Sequence, residues 1–212
     1  MLDRRLKIFL EKYTLTELKV EYVIKNELLY QKDITNGILR GIYFERSRHD
    51  KNGFYLWTFA QPLYIPSENI ILTFGKRLTT SENNEWWSFN HLDSTNLGEL
   101  YLHLNNKITE DGINYLKEVE TPDAFYHFFN SKKTQNIRIY QAIVHTLYVI
   151  RNNEANGEAG LFLDYVRQTQ DSGIKWIHEM IKSTERLLRA DPNEIIHLLK
   201  EWERETIKNL KI

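Results

Sequence analysis

From Ile38 to Leu78 the apolar positions come in short alternating runs, rich in β-branched and aromatic residues and separated by turn signals. The run "ILRGIYFERSR" leads into "HDKNG"; "GFYLWTFAQPLYIP" follows, "IPSEN" interrupts, and "IILTFGKRL" completes the series. Loops this short join sequential antiparallel strands, so the pattern predicts a three-stranded meander. In the central run, Gly53 to Pro66, the residues Phe54, Leu56, Thr58 and Ala60 fall on one face and Tyr55, Trp57 and Phe59 on the other. A half-exposed strand buries one face only. What covers the second is the question this run poses.

Upstream, Leu2 to Tyr13 has helical spacing, with Leu2, Leu6, Phe9 and Leu10 along one side. The stretch "TLTELKVEYVIKNELLY" carries two patterns at once. Thr14 and Glu17 read as a capping box opening a helix, while Val20, Tyr22 and Ile24 alternate as in a strand. Near residue 90 the chain changes character and helical signals take over. Thr121-Pro122-Asp123 is a helix start with proline in the first turn, and Asp191-Pro192 followed by Glu194 repeats it. Between them, Ile139, Ile143, Leu147 and Ile150 form one stripe, and Ile177, Met180, Ile181, Leu187 and Leu188 form another. Ile195, Leu198, Leu199, Trp202 and Leu210 line the last helix. Gly157 to Gly160 and Gly173 are expected to mark the breaks, giving three helices after Gln135 that stack as an antiparallel bundle. No fixed-period repeat is present.

The expected fold is therefore α+β: an antiparallel β-meander with an N-terminal helix and a helical C-terminal half. Residues 1–90 form the sheet-containing part and residues 91–212 the helical part packed on it, within one domain or two. A chain of 212 residues with 42% hydrophobic and 27% charged content suits such a globule. The net charge of -1 and the even mixing of signs argue against nucleic acid, which needs a basic face to neutralise phosphates. Cysteine is absent, which excludes disulfides, thiolate metal sites and a cysteine nucleophile. The N-terminal apolar stretch is too short for a signal peptide, and no run approaches the roughly 20 apolar residues of a membrane span. The expected compartment is the cytoplasm, without a membrane partner.

Candidate chemistry is sparse. The seven histidines lack metal-ligand spacing, and their scatter over helix faces reads as surface or capped residues. No metal or other cofactor is expected. "SRHD", Ser47 to Asp50, has the residue types of a nucleophilic triad, but adjacent residues at a strand end diverge, so it reads as a polar hairpin turn. "HLD", His91 to Asp93, reads as a loop entering a helix cap. The nine glycines are spread singly and form no phosphate loop. No catalytic residues are assigned. Two aromatic clusters, Trp86-Trp87 with Phe89 and the run Ala124 to Phe129, suit either partner anchors or glue between sheet and helices, and glue is the expectation.

Placing the first hairpin near Asp50-Lys51 and the second near Ser67 sets Phe44 and Arg77 opposite Trp57, and Arg46 opposite Tyr55. One face then reads Leu39, Gly41, Tyr43, Phe54, Leu56, Thr58, Ile70, Leu72 and Phe74. The other reads Ile42, Phe44, Arg46, Tyr55, Trp57, Phe59, Ile71, Thr73, Gly75 and Arg77. Arg46, Tyr55, Trp57 and Arg77 form the candidate site. Arginine beside tryptophan and tyrosine suits cation–π stacking and bidentate capture of carboxylate or phosphate. The competing expectation buries this face under helices, with the arginines ion-paired to Glu45 or a helix acid. A one-residue register slip would break the cluster.

"QPLYIP", Gln61 to Pro66, with "LTFGKRL", Leu72 to Leu78, resembles uncharacterised bacterial α+β proteins, of a kind that includes antitoxins and immunity proteins. The resemblance covers the sheet region alone and transfers no functional residues. It implies a non-catalytic immunity or accessory protein that acts on a partner by binding it, and the arginine cluster suits an acidic protein partner. Two alternatives stand beside it. One is an enzyme acting on a phosphorylated or nucleic-acid substrate through an arginine-lined anion site; the other is a structural subunit of a larger assembly.

Overall fold

The structure is a computed structural model and describes residues 4–9, 22–25, 28–34, 36–80, 86–89, 94–170 and 173–212. Most of the ambiguous stretch from Thr14, the ends of the expected N-terminal helix, and the "HLD" cap at His91 to Asp93 lie outside them. The chain condenses into two compact units. The first comprises residues 1–35, 39–61 and 74–120, and the second residues 36–38, 62–73 and 121–212.

The first unit is built on the antiparallel sheet. Its strands are β1 (Tyr22–Lys25), β2 (Leu28–Gln31), β3 (Ile38–Arg46), β4 (Gly53–Pro62), β5 (Gly75–Arg77) and β6 (Trp87–Ser88). The order is β1-β2-β3-β4-β5, with β6 also pairing β4. The alternation at Tyr22 and Ile24 thus belongs to a hairpin, with Tyr22 opposite Gln31 and Lys25 opposite Leu28. β5 runs along Trp57 to Phe59 and β6 pairs with Gly53 and Phe54.

The third expected strand is much shorter than "IILTFGKRL". Leu72 to Phe74 is a 3-10 turn, and only Gly75 to Arg77 join the ladder. The reason lies in the preceding loop. Pro66 has no amide to offer a ladder. Thr206 instead takes up the Ile65 carbonyl (3.1 Å) and the Ser67 amide (3.2 Å) through its hydroxyl.

Helix α1 (Arg4–Phe9) and helix α2 (Ser94–Lys107), followed by the π turn Ile108–Gly112 and helix α3 (Ile113–Glu118), supply the rest of this unit. Leu6 and Phe9 of α1 and Tyr101, Leu104 and Ile108 share one core with Leu29, Ile42, Phe44, Phe54, Leu56, Trp87 and Phe89. The Tyr101 hydroxyl donates to the Arg5 carbonyl at 2.9 Å. Gly112 brings the helix close to the sheet: a Cβ there would press on Ile42 and Leu78. Beside it the Thr58 hydroxyl donates to the Gly112 carbonyl at 3.2 Å. Arg40 is buried at the same face, its guanidinium donating to the Leu116 carbonyl at the end of α3 (3.2 Å) and meeting Glu120 at 3.5 Å. A cation at a helix C-terminus is where the backbone dipole favours one. Trp87 is fully buried, its indole donating to the Leu78 carbonyl at 2.8 Å, whereas Trp86 stands 45% exposed. Trp87 and Phe89 are glue in this sense.

The second unit is helical: α4 (Pro122–Asn130), α5 (Ile137–Val149), α6 (Ala155–Thr169), α7 (Lys175–Arg189) and α8 (Pro192–Leu210). Both proline-marked starts are as expected. The Thr121 hydroxyl accepts the Ala124 amide (3.2 Å), and Asp191 accepts the amides of Asn193 (2.8 Å) and Glu194 (2.9 Å). Among the described residues four helices rather than three follow Gln135, because Gly157 and Gly160 lie inside α6 instead of breaking it. Ala155, Ala159, Phe162, Leu163 and Val166 bury one stripe of that helix. Tertiary packing of this stripe outweighs the roughly 1 kcal/mol penalty of each glycine.

Helix α5 is central, contacting α4, α6, α7 and α8. It is buried from Ile139 to Tyr148 on every side, not on one stripe alone. Its polar side chains therefore need partners inside the bundle. Thr146 donates to the Ala142 carbonyl (2.6 Å) and meets the Tyr64 hydroxyl (2.7 Å), and Gln141 donates to Ser183 (3.3 Å). On α7 the buried positions are Ile177, Met180, Ser183, Thr184 and Leu187, while Leu188 is exposed. Among the described residues no helix is long and apolar enough to cross a membrane.

Candidate functional site

The β3–β4 turn decides which side chains meet on the sheet. The Ser47 amide donates to the Gly53 carbonyl at 2.9 Å, so the turn is centred on Asp50. Ser47 Oγ accepts the amides of His49 (3.2 Å) and Asp50 (3.1 Å). Asp50 in turn accepts the Asn52 amide (2.9 Å) and the Ser88 hydroxyl (2.8 Å). The "SRHD" residues are thus the scaffold of a tight polar turn, as their type and spacing suggest.

That turn sits half a residue earlier than Asp50-Lys51, and the difference flips β3. Ile42 and Phe44 enter the core with Phe54 and Leu56, and the Phe44 and Phe54 rings lie 5.9 Å apart. The expected faces are therefore corrected: Ile42 and Phe44 leave the Tyr55–Trp57 face, and Tyr43 and Glu45 join it. The physical cause is the period of two along a strand, which converts any odd slip into a change of face. The β4–β5 register is as expected, with Trp57 opposite Arg77 and Phe59 opposite Gly75.

The structure accordingly assembles three of the four candidate residues. The Arg77 guanidinium carbon lies 4.5 Å from the centre of the Tyr55 ring and 4.5 Å from that of Trp57. The Trp57 indole donates to Glu45 Oε2 at 2.9 Å. Arg46 is not with them. It shares the parity of Ile42 and Phe44 and stands exposed at the strand end. Sequence reasoning placed Tyr43 on the other face and named Glu45 only as an ion-pair partner for the arginines, whereas Glu45 accepts from the Trp57 indole. The signal for this placement was present, because Ser47, Asp50 and Asn52-Gly53 together specify a turn centred on the aspartate.

Tyr43, Tyr55, Trp57 and Arg77 are half-buried, whereas Phe59 is fully buried. The second face of the opening run is thus closed near Phe59 and partly open at its aromatic–arginine end. Beside this face the adjoining turn exposes the cations Arg48 and Lys51, and the turn's acid, Asp50, is committed to hydrogen bonds within it. Stacking fixes the plane of the Arg77 guanidinium, so less rotamer freedom is lost when its edge meets a carboxylate.

The histidine reading needs one correction. His145 is fully buried in α5, stacked on Trp202 with ring centres 5.6 Å apart. Its Nε2 lies 3.3 Å from Thr184 Oγ1, and among the described residues no hydrogen bond of ordinary geometry reaches its Nδ1. Burial pulls its pKa down to about 4. Among the described residues no group of three or more His, Cys, Asp or Glu side chains is placed to hold a metal ion. No known protein family, curated protein or solved structure matches this chain.

Proposed function

We propose that the chain is a non-catalytic binding protein that docks an acidic protein partner on the open end of its sheet, in the manner of an immunity or accessory protein of a bacterial conflict system. The observation that carries this reading is Arg77 stacked on both Tyr55 and Trp57 at a half-buried sheet face. Tryptophan, tyrosine and arginine are the residues that dominate binding hot spots. A preorganised guanidinium among further exposed cations favours a carboxylate-bearing surface and speeds encounter with it.

The test compares the wild-type chain and Arg77→Glu, both immobilised, for capture of acidic proteins and of a defined glutamate-rich peptide. Reversing the charge should weaken capture about tenfold or more at low salt, and the gap should narrow at high salt. Trp57→Ala should act mainly by speeding dissociation. Circular dichroism checks that both variants remain folded. Equal capture by wild type and Arg77→Glu at low salt would remove the sheet end from the interface and defeat this reading.

A further inference from the structure

A second feature lies wholly within the helical unit. A cleft of about 800 Å³ opens between the loop Ile65–Thr73, the start of α5, one face of α7 and the end of α8. That is the size of a small-molecule site. Arg138 of α5 and Lys182 and Arg186 of α7 reach its walls, with Trp176 and Trp202 beside them. The Arg138 guanidinium carbon lies 4.5 Å from the centre of the Trp176 ring, and that of Arg186 lies 5.7 Å from Trp202.

The charges are unusual in one respect. Among the described residues, none of these three cations forms an ion pair or a side-chain hydrogen bond, although Glu179 and Glu205 line the same cleft. Elsewhere on α7 the ordinary arrangement holds, with Glu185 taking both Arg167 (2.6 Å) and Arg189 (3.1 Å). Arg138 is half-buried, and its loss of water lowers its pKa from the usual arginine range. A guanidinium that has given up solvent and found no acceptor is poised for an anion from outside. Trp176 remains 40% exposed, leaving indole surface on which a flat ring can lie. Glu179 and Glu205 can accept from hydroxyl or amino groups but repel a long polyanion.

We propose that this cleft binds a mononucleotide-class ligand: a heteroaromatic ring against Trp176, a phosphate group at Arg138, Lys182 and Arg186, and sugar or base donors at the two glutamates. The cleft shares no residue with the sheet end, and neither reading depends on the other.

The experiment titrates the full chain by calorimetry with ATP, AMP, adenosine, inorganic phosphate and a single-stranded oligonucleotide, and repeats the panel with GTP, CTP and UTP. Saturable binding of at least one nucleotide is expected, with adenosine and phosphate each about tenfold weaker or more. Arg138→Gln should cost the nucleotide about tenfold while leaving adenosine nearly unchanged. Trp176→Ala should reduce nucleotide and adenosine alike and spare phosphate. Should Arg138→Gln fail to fold, the exposed pair Lys182→Gln with Arg186→Gln makes the same test. No saturable nucleotide binding, equal affinity for phosphate and nucleotide, tighter binding of the oligonucleotide, or indifference to these variants would each overturn the proposal.

Discussion

Acidification from pH 7 to pH 4 should cost this protein stability through one side chain, His145. The ring is fully buried, and protonation would place a cation among Trp202, Thr184 and the α5 core. Burial holds its folded pKa at about 4, against 6.5 in the unfolded chain. The native histidine therefore stays neutral while the unfolded one takes up a proton below pH 6.5. By linkage, the stability present above that pH drains away as pH falls toward 4. A displacement of this size is worth roughly 3 kcal/mol over the window, a large share of a domain's total stability. Glu203 acts in the opposite sense, because burial raises its carboxyl pKa and acid then favours its native form. The assay must isolate His145 from such groups. Urea unfolding of wild type and His145→Gln, followed by circular dichroism at steps from pH 7.5 to 4.5, does so. The variant is expected to be less stable at neutral pH, but the informative quantity is how the difference between the two proteins changes. It should shrink, and then favour the variant, by up to about 3 kcal/mol on acidification. A constant difference across the range, or an NMR titration of the His145 ring near pH 6.5, would refute the reasoning.

Two further outcomes follow from the packing. Leu198→Ala and Trp202→Ala should each destabilise by about 2–5 kcal/mol, because both side chains are almost wholly buried; an unchanged urea midpoint would contradict this. Gly157→Ala should stabilise by roughly 0.5–1 kcal/mol, since the position is inside α6 and an added methyl group meets nothing within 4 Å; a lower thermal midpoint would count against that account.

Several features were legible along the chain because they depend on neighbours in sequence. Thr121-Pro122 and Asp191-Pro192 start helices since a side-chain acceptor and a missing amide act within one turn. The strands of the meander and the pairing of Trp57 with Arg77 followed from alternation and from placing the second turn near Ser67, although the connection from Pro62 to Gly75 is longer than expected. The α+β class followed from the change in hydrophobic period near residue 90.

Other features needed the fold. The face on which Arg46 or Glu45 lies turns on a half-residue shift in one hairpin, and alternation carries that small local difference into the membership of the candidate site. Gly157 and Gly160 read as breaks because propensity is local, while the burial that keeps α6 continuous comes from its neighbours in space. His145 looked like any scattered helix histidine, since nothing in its own segment announces that α5 is enclosed on every side. The cleft draws on α5, α7, α8 and a loop more than sixty positions upstream of Arg138. Local patterns determine elements because backbone geometry is short-ranged; which side chains face one another is decided only when those elements pack, and the tertiary structure alone holds that information.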